Sequence, residues 1–309
     1  MAGAPDLVAI KEANPPLGTT LYFQIDLNIN PGNTTRPKPL TGVFIPNNYA
    51  GGSEIKLLVF LHGHFTDGLH PINDYWTTFH TPKYQIRQTL NDSSQSFVLI
   101  APTLSDDSDA GSLVDKGGLQ DYVATVLAGL TKHAAGKFAT LPVLRRIFLA
   151  AHSGGGRPML EIAEKMATSD FDKTIKEFWG FDCLYDKDTA YDFYADPPAP
   201  PYKKGHTDPR LNPKPAEVRW LQWARTISSA KLTMRYATQE PKTRCLNLKR
   251  LTAGDKFKKS EGKVEGWDKI LKFDGGTAAV NVTVIESSDK DHELLVKPQL
   301  LKQLKGLGG

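Results

Sequence analysis

Apolar residues recur along this chain with two different periods. From Thr20 to Asn28 they alternate with polar ones (Leu21, Phe23, Ile25, Leu27), the spacing of a strand with one covered face. A Pro-, Gly- and Asn-rich turn over Asn30–Pro39 leads to a second short strand, Thr41–Ile45, closed by Pro46-Asn47-Asn48. The two strands predict an antiparallel pair at a sheet edge, and residues 1–17 before them read as an irregular arm. The pattern then changes to unbroken apolar runs at Lys56–Leu61, Ser96–Pro102 and Arg146–Ala150. Runs of this kind mark strands of a parallel sheet covered on both faces. Helix-compatible stretches lie between and after them at Pro82–Leu90, Leu119–Leu130 and Pro158–Ala167. Farther on, strands are expected at Phe178–Phe181, Leu232–Ala237 and Ala279–Ile285, and helices at Ala216–Ile227 and Leu294–Leu304. Residues 196–215 are too rich in proline for a helix or a central strand. Arg244–Asp274 is polar and lysine-rich, with room for one short helix near Trp267–Leu271.

Strands alternating with helices predict an α/β chain: a doubly wound, mostly parallel sheet with helices on both faces. One domain over residues 1–309 accounts for the pattern, with a Pro-rich cap or loop insertion around 185–223. In such sheets ligands bind at the C-terminal ends of the strands, so those ends are where chemistry is expected.

Composition narrows the function classes. A net charge of +4, with both signs mixed along the chain, gives no footprint for nucleic acid. No apolar run is long enough for a membrane span, and residues 1–16 lack the basic and apolar regions of a signal peptide. As it stands the sequence reads as cytoplasmic. Cys183 and Cys245 are too few for a disulfide framework and read as two thiols. Asn33-Thr34-Thr35 and Asn281-Val282-Thr283 match glycosylation sequons, a pattern short enough to arise by accident.

The chemistry centres on Ala151-His152-Ser153-Gly154-Gly155-Gly156. A buried strand runs into a serine, glycines follow, and a helical pattern begins. This strand–turn–helix context is that of a nucleophile elbow, where the serine sits on a strained turn and its neighbours must be small. The N–H of Gly154, at the start of the helix, is placed to stabilise an oxyanion. A glycine-rich phosphate loop would need a Lys-Ser or Lys-Thr pair after the glycines, and the chain has Arg157-Pro158. A serine needs a base, and His292, after the last strand and before the final helix, stands where one is expected. The loop after the Lys56–Leu61 strand reads His62-Gly63-His64-Phe65. There the N–H of His64 faces the site, with the His64 and Phe65 side chains flanking a pocket. His152, beside the serine, points away from it by strand geometry.

With these three motifs the chain resembles the α/β-hydrolase superfamily, and among its members the serine esterases and lipases. The resemblance spans residues 20 to 305 in element order, with Ala151 departing from the usual first glycine of the elbow. It implies that Ser153 is the nucleophile, His292 the base, and the N–H groups of His64 and Gly154 the oxyanion hole. For the acid it offers Asp182, with Glu240 as the alternative and Asp186 third. Tyr185, Trp220 and Trp223 would join Phe65 as substrate-pocket residues. The implied reaction is hydrolysis of a carboxylic ester, less readily an amide, through an acyl-enzyme, on a small molecule and without a cofactor. Two other readings stay open. His62, His64, Asp67 and His70 roughly follow a metallo-hydrolase pattern, with misspacing on both sides of Asp67. A non-catalytic binding protein on the same fold is the other.

Overall fold

A computed structural model describes residues 3–11, 15–29, 40–64, 75, 84–105, 107–166, 169–185, 215–253 and 281–308. Phe65, Asp67, His70 and Asp186 lie outside these residues, as do the body of the expected insertion (186–214), the expected helix at Trp267–Leu271 and the Asn33 sequon.

Among the described residues the strands are β1 (Asp6–Leu7), β2 (Gly18–Gln24), β3 (Leu40–Pro46), β4 (Glu54–Leu61), β5 (Val98–Pro102), β6 (Val143–His152), β7 (Ile175–Phe181), β8 (Lys231–Tyr236) and β9 (Val282–Glu286). They form one sheet in the order β1-β2-β3-β5-β4-β6-β7-β8-β9. The pairs β1/β2, β2/β3 and β3/β5 are antiparallel, and every pair from β5/β4 to β8/β9 is parallel. The doubly wound, mostly parallel sheet expected from the sequence is therefore present. The arm expected to be irregular contributes β1, where Asp6 and Leu7 pair with Gln24 and Phe23.

Among the described residues the α-helices are α1 (Ile86–Ser93), α2 (Gly118–His133), α3 (Gly156–Lys165), α4 (Ala216–Thr226), α5 (Gln239–Ala253) and α6 (Val296–Lys305). They cover both faces, giving two hydrophobic layers. One gathers α2, α3, α4 and α5 on Leu57, Val59, Leu149 and Phe178. The other gathers α1 and α6 on Leu58, Phe60, Phe148 and Trp179. Successive side chains of one strand thus feed opposite layers, which is why the central strands read as continuous apolar runs.

Helix α5 runs into the Lys-rich stretch that begins at Arg244, where the sequence suggested a short helix only near Trp267–Leu271. Its apolar face (Cys245, Leu248, Leu251) is diluted by basic residues, and three buried polar ones, Arg244, Asn247 and Thr252, share it. Arg244 Nη1 donates to Glu217 Oε2 at 3.1 Å and Asn247 Nδ2 donates to Glu217 Oε1 at 3.2 Å, tying α5 to α4. Both members of the ion pair are almost fully buried. Both cysteines are buried free thiols.

Trp220 and Trp223 are corrected too. Three residues apart on α4, they share one helix face and pack edge-on against Phe178, 1% and 4% exposed. They belong to the core, not to a substrate pocket.

The pair between α4 and α5 generates a test. Arg244→Met should destabilise the protein by about 3–5 kcal/mol, because it strands a buried carboxylate. Adding Glu217→Gln should recover most of that loss. Urea unfolding midpoints of the two variants check it; equal midpoints would contradict it.

Candidate active site

Parallel register brings the candidate residues to one edge. Leu61 of β4, Ala151 of β6, Gly180 of β7 and Met234 of β8 lie abreast, so the chain leaves all four strands side by side. His62-Gly63-His64, Ser153, Asp182 and Ala237-Thr238 follow within one to four residues. Strand β4 leads out to β5 on one side and β6 lies on the other, the crevice where doubly wound sheets place their ligands.

Ser153 leaves β6 with φ 51°, in the left-handed region, and a short 3₁₀ turn (Ser153–Gly155) leads into α3. That region costs a residue with a Cβ roughly 1–2 kcal/mol, so the surroundings must hold it there. The packing explains the small neighbours. A Cβ on Gly155 would lie 2.6 Å from the carbonyl oxygens of Leu61 and His62. A Cβ on Gly63 would lie 2.6 Å from Ser153 Cβ, so the backbone after β4 passes directly against the serine. The His64 side chain is exposed and leans on Gly154, its Nε2 2.5 Å from where a Gly154 Cβ would stand. Ser108 Oγ, buried and without a hydrogen-bond partner among the described residues, is 2.7 Å from that same point.

Asp182 also leaves its strand in the left-handed region, at φ 46°, and its side chain is fully buried. Oδ1 accepts the N–H of Ala237 at 2.8 Å and of Thr238 at 3.1 Å. Oδ2 accepts the Thr238 hydroxyl at 2.6 Å and Nδ1–H of His292 at 2.6 Å. Burial pushes the Asp182 carboxyl up, but His292 and the three donors from Ala237 and Thr238 outweigh it and hold it below the ordinary carboxylate range. Glu240, the alternative acid, sits in the first turn of α5 with its side chain exposed, while the imidazole of His292 is bonded to Asp182.

The loop carrying His292 is itself anchored. Gln299 of α6 donates to Ser287 Oγ at 3.0 Å and to Asp289 Oδ2 at 2.9 Å, and accepts from Arg235 at 3.0 Å. Asp291 Oδ1 accepts the N–H groups of Glu293 and Leu294 at 2.8 and 3.0 Å, closing the turn around His292. Tyr185 packs edge-on to the His292 ring, and its hydroxyl lies 3.3 Å from Thr238 Oγ1. Thr238 spends its own proton on Asp182, so the Tyr185 O–H is the donor. Tyr185 thus lies against the Asp182–His292 pair. Among the described residues no hydrogen bond joins Ser153 to His292.

Two further histidines lie beneath the site, both buried. His62 Nε2 accepts the Leu104 N–H at 2.7 Å, so Nδ1 carries the proton and donates to the Gly63 carbonyl at 2.7 Å. With both ring nitrogens engaged, His62 has no lone pair for a metal, and this corrects the cluster of His62, His64, Asp67 and His70. Among the described residues no group of three or more His, Cys, Asp or Glu could hold a metal ion. The His152 ring lies against that of His292, tilted by 36° with centroids 4.5 Å apart, and bonds to Tyr75 and to the His292 backbone. Tyr75 and Thr238 were not picked out by the sequence reading. Thr238 carried a signal, being the second residue beyond the β8 strand; Tyr75 carried none. A concavity of about 310 Å³ is lined by Leu119, Ile162, Phe171 and Ile175 and by none of these groups.

No protein-family model matches the sequence, and no curated protein matches it. Solved structures do. A ferulic acid esterase is similar to it over 95% of this chain and 99% of its own, at a TM-score of 0.53 and 11% identity. A mutant of the feruloyl esterase module from Clostridium thermocellum, complexed with sinapinate, is similar over 98% of this chain and 93% of its own, at a TM-score of 0.50 and 10% identity. At such identities the likeness is one of fold.

The buried histidines set a pH dependence. Burial lowers His62 to about 4 and His152 to about 3, from an ordinary 6.5. As pH falls below 6.5 the unfolded chain takes up protons that the folded chain refuses, so stability present at neutral pH is lost on acidification. Asp182, held low, extends the loss below the ordinary carboxylate range. The unfolding free energy from urea titrations should fall between pH 7 and about 4.5, by roughly 2–3 kcal/mol for each histidine. His152→Gln should make the decline shallower; a wild-type midpoint flat over that range would contradict the assignment.

Proposed function

We propose that this chain, which has the α/β-hydrolase fold, is a serine hydrolase that cleaves a carboxylic ester of a small molecule through an acyl-enzyme. The observation that carries the reading is the bond of His292 to the buried Asp182 at 2.6 Å, held at the same sheet edge as a serine in a left-handed turn. His292 Nδ1–H donates to Asp182, which leaves Nε2 unprotonated to accept the Ser153 proton. Ser153 Oγ then attacks the ester carbonyl, and the N–H groups of His64 and Gly154 receive the negative oxygen. His292 returns the proton to the leaving alcohol, and the acyl group stays on Ser153. A water, deprotonated by His292, releases the acid and restores the serine. The reaction needs His292 to reach the Ser153 hydroxyl, and such hydrogen bonds commonly tighten only when substrate is bound.

Asp182 supports the reading by its bonding: it is ionised, fixed on both oxygens, and selects the tautomer of His292 that the reaction requires. That both structural relatives bear esterase names favours an ester over an amide.

A fluorophosphonate probe should label the wild-type protein at Ser153 and leave Ser153→Ala unlabelled. Asp182→Asn should lower kcat on p-nitrophenyl esters by about three to four orders of magnitude, because His292 loses its orienting anion. Glu240→Gln should leave kcat nearly unchanged. Labelling that persists in Ser153→Ala would overturn the reading, and a large loss in Glu240→Gln with none in Asp182→Asn would reassign the acid.

A further inference from the structure

Gly63 passes directly against Ser153, and both polar groups of its backbone are taken. The bonds on its N–H side form a chain whose direction can be deduced. The backbone oxygen of His292 only accepts, so His152 Nε2, 2.8 Å away, must carry a proton. In a neutral ring His152 Nδ1 is then an acceptor, and the Tyr75 hydroxyl, 2.6 Å away, must donate to it. The Tyr75 oxygen is left to accept, and the Gly63 N–H at 3.1 Å donates to it. The chain therefore runs without a break from Gly63 through Tyr75 and His152 to the main chain of His292.

We infer that His152, the residue before the candidate nucleophile, is a positioning residue that ties the oxyanion loop to the base loop through Tyr75. The inference rests on the reading of Ser153 and His292 proposed above. It explains why a polar residue with no part in the chemistry is buried at the last position of β6, only 1% exposed. Burial also keeps its ring neutral at working pH, which the donor–acceptor pattern needs. Each polar group in the chain has a partner, and such a network fixes geometry where a half-satisfied one would not. Tyr75 is locked as well, stacked on Tyr84 with ring centroids 4.0 Å apart.

The chain also decides which N–H is free for the substrate. Gly63 spends its own N–H on Tyr75, and its carbonyl is held by His62. The peptide joining Gly63 to His64 is planar, so fixing the carbonyl on one side aims the His64 N–H to the other. An oxyanion donor acts only if it is aimed before the charge develops. On this account Gly63 is held on both sides, its carbonyl by His62 and its N–H, through Tyr75, by His152, and His152 holds the base loop with its second nitrogen.

The test compares Tyr75→Phe, His152→Gln, His152→Phe and the Tyr75→Phe/His152→Phe double variant with the wild type. Each is assayed for kcat and KM on a p-nitrophenyl ester, affinity for a trifluoromethyl ketone, fluorophosphonate labelling, and cooperative unfolding. Tyr75→Phe keeps the ring and its stacking and removes only the hydroxyl. It should lower kcat by about 10- to 100-fold, with KM within about threefold, since a small misplacement of a catalytic group has effects of this size. The ketone, which forms an oxyanion on the serine, should bind more weakly in parallel. His152→Gln, which can still donate to the His292 carbonyl, should retain more activity than His152→Phe. The double variant should be little worse than His152→Phe alone, because both changes break one chain. Tyr75→Phe with wild-type kcat and ketone affinity, in a folded and labelled protein, would overturn the inference alone, and so would strictly additive losses. A wild type left unlabelled would overturn the Ser153 reading and this inference with it.

Discussion

A carboxylate taken wholly out of water has to be met by donors, and Asp182 is met by four. Much of the site follows from that requirement. Two of the donors are backbone N–H groups of Ala237 and Thr238, so β8 must end level with β7. A third is the Thr238 hydroxyl. The fourth is an imidazole brought from beyond β9, which obliges the loop after that strand to fold back across the sheet edge. The anchoring of that loop by Gln299 and Arg235 serves the same end. Left-handed backbone at Asp182 is the local cost of turning its side chain toward these donors and away from the sheet.

Ser153 is the second strained residue of the edge, and it depends on closeness more than on hydrogen bonds. The chain after β4 and the turn after β6 approach until there is no room for a Cβ at Gly63 or Gly155. That approach brings the backbone N–H groups near the serine and keeps the turn from relaxing. Parallel register supplies the alignment: four adjacent strands end abreast, so residues distant in sequence meet without a long loop having to reach. The buried histidines then fill the space under the edge, where their ring nitrogens answer backbone groups that would otherwise be unpaired.

The sheet and this edge were largely legible in the sequence. Unbroken apolar runs gave the central strands because each feeds two layers. The small residues after Ser153 pointed to a tight turn there, and His292 was expected beyond the last strand, where it is bonded to Asp182. Asp182 stood out because it ends an apolar strand. What escaped has physical reasons. Helix α5 hides its apolar face behind basic residues and a buried Arg244–Glu217 pair, so no clean period shows. Trp220 and Trp223 looked like pocket residues because aromatic content is silent about direction; only the packing of α4 on Phe178 shows that they face the core. His62 matched a metal pattern by spacing, and only the bonds to Leu104 and Gly63 show that both nitrogens are in use. Tyr75 reaches the site across 77 positions to His152, a distance no local pattern encodes.

The central claim is that Ser153 becomes covalently acylated during turnover. The most direct measurement is intact-protein mass spectrometry after rapid acid quench of a reaction with a p-nitrophenyl ester, followed by peptide mapping. The account predicts a transient species heavier by one acyl group, carried on the peptide containing Ser153 and decaying as substrate is exhausted. Turnover with no adduct, or an adduct on any other residue, would contradict it.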